Sequence, residues 1–266
     1  MNRIAQLQAS LTLTWMLQEI TQKEKNKDYS RSLTQLVDEF LLTYPEEAEK
    51  IQRNTLKTYL SKYMTGRAVP SQKNLHLWLQ LLTQTIGLTY SSIIDEHLIR
   101  WEIPDSDEII VDATALLFDT RKLGIVAHLM MENDWFSNLK AKPTLILTVE
   151  TDGLPFAYAA AFMLGVPCLY ARKRKPAGIT EVLSVDLDTT MSRTVTLYVP
   201  KKLLRKDKVL IVDDVVRSGR TQRKLVELVA VGGAETVGLL SMIGIGNRWH
   251  HLKNLDIPLE ILYVIS

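Results

Sequence analysis

Cysteine is nearly absent: Cys168 is the single one in 266 residues, which excludes a disulfide framework. No Cys/His spacing of zinc-ligand type occurs either, and Cys168 lies in an apolar run, where it reads as a small buried hydrophobe. Long apolar runs are also missing. Residues 153–171 carry no charge, but Pro155, Gly165 and Pro167 break them, so they read as a buried helix and strand and not as a membrane span. The first twenty residues are amphipathic and interrupted by Arg3 and Glu19, unlike a secretory leader. Together with the lone thiol, this points to a reducing cytosol. The hydrophobic share of 46% and charged share of 23% are those of an ordinary globular protein, and a net charge of +2 distinguishes little. The last absence is regional: from Lys50 to Ile94 there is no acid.

That region belongs to a stretch of about 100 residues with almost no strand signal. Apolar faces at helical spacing recur at Ile4, Leu7, Leu11 and Trp15–Met16, at Leu33, Leu36, Val37 and Phe40–Leu41, at Leu56, Tyr59, Leu60 and Tyr63, and at Leu75, Leu77–Trp78, Leu81–Leu82 and Ile86. Pro45 with Glu46, Glu47 and Glu49 marks a helix start. The acid-free interval carries Lys50, Arg53, Lys57, Lys62, Arg67 and Lys73. A basic helix in a small helical unit is the electrostatic footprint of a nucleic-acid reader.

After a connector that holds a short helix at 91–101 and a turn at Pro104–Asp107, strand and helix alternate. Strands are expected at 109–111, 143–149 and 166–171, with helices at 123–131 and 156–164. Residues 182–187 and 194–199 read as an antiparallel hairpin around a polar turn with Met191, Ser192 and Arg193. A short basic helix or turn is expected at 200–208, a strand at 237–243, a loop at Gly244–Gly246 and a last edge strand at 261–265. This rhythm implies an α/β fold with a mostly parallel sheet.

The most informative stretch is residues 209–221, VLIVDDVVRSGRT. A buried strand leads into Asp213 and Asp214, then into the loop Arg217, Ser218, Gly219, Arg220 and Thr221, and then into a helix marked by Leu225, Leu228 and Val229. The loop N–H groups, the two hydroxyls and the helix N-terminus converge on an anion of phosphate size. The carboxylates stand where open α/β sheets bind ligands, and they can accept hydrogen bonds from sugar hydroxyls or hold Mg²⁺ through water.

This stretch resembles the phosphoribosyl-pyrophosphate (PRPP) signature of type I phosphoribosyltransferases, with Ser218 at the usual Thr and Arg220 at a variable place. The resemblance implies that Asp213 and Asp214 hold the ribose and that Val216 to Thr221 form the 5′-phosphate loop, with Mg²⁺ accompanying PRPP. It also implies that the loop from Thr151 through Asp152 and Gly153 grips pyrophosphate through its N–H groups. A basic residue after the following strand meets pyrophosphate; Lys173 is expected in that place, with Arg172 and Lys175 as alternatives. The hairpin at 182–199 closes over the site. The part that reads the base is sought in Asp112–Leu117 and after Gly244, and the residues do not rank these two.

A second stretch, residues 60–71 (LSKYMTGRAVPS), is similar to the end of the recognition helix in Cro/λ-repressor-type helix-turn-helix domains. Gly66 would cap that helix, and Pro70-Ser71 would start the next. With the helix beginning near Arg53, the exposed residues are Arg53, Asn54, Thr55, Lys57, Thr58, Ser61 and Lys62. Arg53 and Asn54 suit base edges, Lys57, Lys62 and Arg67 suit phosphates, and Tyr59, Leu60 and Tyr63 suit the core. The layout implied is a helical DNA-binding domain at 1–90, a connector at 91–107 and a phosphoribosyltransferase-like domain at 108–266. That order is similar to purine operon repressors. The expected function is a cytosolic, homodimeric transcription regulator that binds double-stranded DNA and senses PRPP or a purine base or nucleotide. The alternative is an active purine phosphoribosyltransferase with a helical appendage.

Overall fold

The computed structural model describes residues 3–21, 31–103, 109–131, 133–188 and 194–266. The expected turns at Pro104–Asp107 and Met191–Arg193 lie outside the described residues, as does the side chain of Ile4.

Six helices come first: α1 (Arg3–Thr21), α2 (Leu33–Thr43), α3 (Pro45–Ala48), α4 (Arg53–Met64), α5 (Gln72–Gln80) and α6 (Tyr90–Glu96). Local chemistry sets their ends. Ser32 and Gln35 make a reciprocal capping box on α2. Gly66, at φ +66°, closes α4: its N–H donates to the Tyr63 carbonyl, and the Arg67 N–H donates to that of Lys62. Ser71 caps α5 through the Asn74 N–H, as its place after Pro70 implies. Beyond α5 the chain winds wider, into a π-helical turn at Leu81–Thr85.

Next come β1 (Ile99–Glu102) and β2 (Ile109–Asp112), which pair antiparallel. The helix expected at 91–101 thus stops at Glu96. Its second half is a strand instead, because the alternating residues of β1 find partners in β2. Then follow α7 (Thr114–Leu117), α8 (Thr120–Met131), α9 (Asp134–Ser137), β3 (Leu145–Val149), α10 (Leu154–Leu164) and β4 (Cys168–Ala171). Cys168, expected as a buried small hydrophobe, is half-buried, and burial pushes its thiol up to about 11. The expected hairpin forms as β5 (Val182–Asp188) and β6 (Thr194–Pro200), in one uninterrupted register. β7 (Lys208–Val216), α11 (Arg220–Val231), β8 (Glu235–Ile245) and β9 (Leu259–Ile265) complete the chain. Gly244 and Ile245, expected in a loop, finish β8, and the turn falls on Gly246 at φ +62°.

The main sheet is five-stranded and parallel, ordered β4-β3-β7-β8-β9. β7 is apolar on both faces because both are covered. Leu210 and Val212 point into a core shared with α8 and α10, while Val209 and Ile211 point into a second core under α11 and the β5–β6 hairpin. The chain moves from β3 outward to β4 and then returns to the other side of β3 with β7. The gap between β3 and β7 at their carboxyl ends is therefore the switch point where such sheets bind ligands.

The first core does not stop at residue 90. It continues through Leu13, Met16, Leu17 and Ile20 of α1 into α2, α4, α5 and α6. α1 is the bridge. Thr14 and Gln18 donate to the carbonyls of Tyr63 and Met64 at the end of α4, and Gln8 donates to the Phe162 carbonyl in α10. Gly124, in mid-α8, lies under the Trp15 ring, and any Cβ there would run into it. Ser91 of α6 donates to the Leu262 carbonyl of β9. The stretch expected as a connector is thus docked on the α/β part, because its apolar residues Ile93 and Ile94 are fully buried.

Gly124→Ala sets about 1 kcal/mol of helix propensity against overpacking of about 1–3 kcal/mol. The expected result is a net loss of about 1–2 kcal/mol in denaturant unfolding, with the helical N-terminal part and the sheet unfolding at a lower midpoint together.

Candidate active site

Asp213 is the last fully buried acid of β7, at 5% exposure. Its Oδ2 accepts from the Gln222 Nε2 at 2.7 Å, and its Oδ1 accepts from the Asp214 N–H at 3.1 Å. Burial, and then the charge of Asp214, push its carboxyl well above the usual range, while Lys173 pulls it back. Burial raises Asp214 too, and the charge of Asp152 adds to the effect. These electrostatics put Lys173 and Asp152, from the β4 and β3 ends, in the field of the acid pair.

The loop between β3 and α10 closes on the same pair. Gly153 is buried, and a Cβ on it would lie 2.7 Å from Asp213 Oδ1 and 2.7 Å from Thr148 Oγ1. Only a glycine backbone fits this close to the acids. The Thr148 hydroxyl, fully buried beside it, has no hydrogen-bond partner among the described residues. The Glu150–Thr151 peptide is cis, Thr151 and Asp152 are exposed, and the Lys173 N–H donates to Glu150 Oε1 at 2.5 Å. Of the residues singled out in the sequence, the structure brings Thr151, Asp152, Gly153, Lys173, Asp213 and Asp214 together around the gap between β3 and β7. Of the alternatives to Lys173, Arg172 is turned aside onto Tyr170, whose hydroxyl accepts from its guanidinium at 2.7 Å.

Arg217, Ser218, Gly219, Arg220 and Thr221 carry the chain from β7 into α11. Gly219 sits at φ +71°, in the left-handed region, and a Cβ there would lie 2.8 Å from Leu252 Cγ. Val216 departs from expectation. Its side chain is 1% exposed and packs in the second core, so it offers the loop only its main chain. Arg217 leans away from the acids and donates to the Ile109 carbonyl of β2 at 2.7 Å.

Three residues near the site carried no signal in the sequence. Gln222 is buried in the first turn of α11 and holds Asp213. His251, in a 3₁₀ segment at Arg248–Leu255, donates through Nε2 to the Ser218 carbonyl at 2.7 Å, and Leu252 beside it fills the space against Gly219. No motif announces them: Gln222 reaches Asp213 nine residues back, and His251 reaches Ser218 thirty-three residues back.

The family model described as the phosphoribosyl transferase domain matches residues 120–260, more than half of the chain. The chain belongs to this family. It is similar to the xanthine phosphoribosyltransferase of Geobacillus thermodenitrificans, 39% identical over 103 residues, which cover 38% of this chain and 53% of that protein. The chain thus spans about half the length of that relative. It is also similar to the hypoxanthine/guanine phosphoribosyltransferase of Methanosarcina mazei, 34% identical over 141 residues, 52% of this chain and 73% of that protein. A solved adenine phosphoribosyltransferase of Thermoanaerobacter pseudethanolicus shares the fold at TM-score 0.55 and 22% identity, over 65% of this chain and 98% of that one. These matches support the transferase set out above as the alternative, and they lend no support to the regulator or to the helix-turn-helix.

The helices before residue 120 lie outside the family match. On α4, Arg53, Asn54, Thr55, Lys57, Thr58, Ser61 and Lys62 are exposed, and so is Arg67 after it. Arg53, expected free for base edges, is paired instead with Asp38 through both Nε and Nη2, at 2.6 and 2.7 Å, because α2 packs beside α4. Lys57 donates to the Thr34 hydroxyl at 2.9 Å. Tyr59, expected in the core, is 43% exposed, with the Lys62 ammonium 5.8 Å from its ring centre. Among the described residues, no helix is long and apolar enough to cross a membrane.

Two variants test the site's construction. Asp213 and Asp214 hold their protons to higher pH folded than unfolded, so they weaken the fold as pH rises through the carboxylate range. Asp214→Asn is therefore expected to raise the melting temperature at pH 8, with the gain shrinking as pH falls towards 4. Gly219→Ala adds left-handed strain of about 1–2 kcal/mol to the clash with Leu252. In thermal unfolding it is expected to cost more than Gly178→Ala, where φ is +75° but the space is open.

Proposed function

We propose that the chain is a purine phosphoribosyltransferase. A nitrogen of the base attacks C1 of the ribose of PRPP, the bond from C1 to pyrophosphate breaks with its electron pair leaving on pyrophosphate, and the proton on the attacking nitrogen is released. The observation that carries this reading is the meeting of Gly153 with Asp213 and Asp214 at the sheet's switch point. In this proposal Asp213 and Asp214 accept hydrogen bonds from the ribose hydroxyls. Ser218, Gly219, Arg220 and Thr221 bind the 5′-phosphate through loop N–H groups, hydroxyls and the N-terminus of α11. Thr151, Asp152 and Gly153 offer main-chain N–H groups to pyrophosphate at the start of α10, and Lys173 supplies the positive charge nearby. The chain's part is positioning and charge stabilisation, with the β5–β6 hairpin beside the site to limit water.

The donor set fits Mg²⁺. Asp214 and Asp152 are hard oxygen donors, the charge of Asp152 raises the proton affinity of Asp214, and both oxygens of Asp213 are already bonded, so Asp214 and Asp152 would hold the ion through water. Bound there, Mg²⁺ would neutralise charge on pyrophosphate. The purine class is supported by the xanthine and hypoxanthine/guanine relatives. A cytosolic homodimer remains part of the proposal.

A second reading has its own support in the exposed basic face of α4: contact with duplex DNA, with Lys57, Lys62 and Arg67 on phosphates and Asn54 at base edges.

One experiment tests both. PRPP and Mg²⁺ are incubated with xanthine, hypoxanthine, guanine or adenine, and pyrophosphate is measured. Release with at least one base is expected, falling at least a hundredfold in Asp213→Asn/Asp214→Asn; no release with any base overturns the transferase. In parallel, duplex DNA is titrated at rising salt. Binding that weakens steeply with salt, and weakens again in Lys57→Ala/Lys62→Ala, supports the second reading; its absence ends it.

A further inference from the structure

A cleft away from the acid pair stands out. It lies between α5 with its π-helical turn on one side and α8 on the other, with a volume of about 530 Å³, within the range of small-ligand sites. Its walls carry no Lys, Arg, Asp or Glu. Its titratable side chains are His76 and His128, so no permanent charge faces an occupant, and a neutral molecule fits the lining best. Leu75, Leu79, Leu88 and Leu129 supply apolar surface for the faces of a flat ring. Gln80 and Gln84 supply the polar edge. Neither side-chain amide has a hydrogen-bond partner among the described residues, and each presents a donor next to an acceptor.

Adjacent donors and acceptors around a flat uncharged ring are the signature of a heterocyclic base, which Gln and Asn amides meet with paired hydrogen bonds. The backbone adds an independent sign. Gln84 stands in the π-helical turn, where the Ile86 N–H reaches back to the Leu81 carbonyl, and single turns of this kind gather at functional sites. The cleft is also the place where the helical part and the transferase part face each other: Gln80 and Gln84 come from the first, and His128 and Leu129 of α8 from the second. α8 in turn packs on α10, whose first turn follows Gly153.

We propose that this cleft binds a free nucleobase-like heterocycle at a site distinct from the transfer site, so that occupancy touches both parts of the chain. The test is calorimetry of the full chain with adenine, hypoxanthine, xanthine and guanine, each without PRPP. Binding of at least one base is expected, weakened at least tenfold in Gln80→Ala/Gln84→Ala and unchanged in Asp213→Asn/Asp214→Asn. Both glutamines lie on helical turns at the surface of the cleft, so the alanine variant should keep the melting temperature, which is measured alongside. Base binding that survives the glutamine changes and disappears with the aspartate changes overturns the proposal, as does no binding of any base. Pyrophosphate release by the glutamine variant is recorded in the same preparation and reports on the transfer site alone, so the failure of one reading is separable from the failure of the other.

Discussion

Two carboxylates set side by side at the end of a buried strand repel one another and resist losing water. Most of the site is arranged to make Asp213 and Asp214 tolerable without neutralising them. Gln222 and the Asp214 N–H satisfy the oxygens of Asp213, Lys173 lends a distant positive charge, and Gly153 gives up a side chain so that main chain can approach. Nothing among the described residues makes an ion pair with either acid, and the Thr148 hydroxyl beside them is left without a partner. An arrangement that answers the hydrogen bonds but not the charge keeps the site receptive to hydroxyl donors and to a hydrated cation. The sheet order is a condition of this, because only a β3–β7 neighbourhood brings the Gly153 loop against the acids.

The parts of the site that lie in one continuous stretch were legible. Residues 209–221 read as strand, acids, loop and helix, and they fold that way, down to the left-handed Gly219. Caps were legible for the same reason: Gly66 and Ser71 act on atoms within a few residues. Long-range contacts were not. Gln222 looks like any polar residue in a first helical turn until Asp213 is placed opposite it, and His251 gives no hint that its partner is a loop carbonyl thirty-three residues back. Val216 misled because loop membership says nothing about which way a side chain points, and Tyr59 because helical periodicity marks a face but not its edge.

The boundary expected at residue 90 rests on the helical pattern before it and on the recognition-helix resemblance, and both end there. Packing does not. α1 uses Thr14 and Gln18 towards α4, Trp15 towards Gly124 and Gln8 towards α10, so one helix serves both parts of the chain. A helical unit joined through a shared core is held more firmly than one joined by a linker. The basic face of α4 and the acid pair are therefore joined through one continuous apolar core, whatever each of them binds.

The bond from Arg217 to the Ile109 carbonyl has a mechanical side. It ties the loop before α11 to the paired strands β1 and β2, a small two-stranded ribbon outside the main sheet. In kinematic language the two are a linkage with one joint: the loop cannot swing without either dragging the ribbon or releasing the joint. The Ser218 carbonyl, held by His251, acts as the fixed pivot on the other side. A loop held by His251 on one side and by the ribbon on the other is thereby coupled to β1 and β2, where Trp101 and Ile110 stand half-exposed as a cross-strand pair.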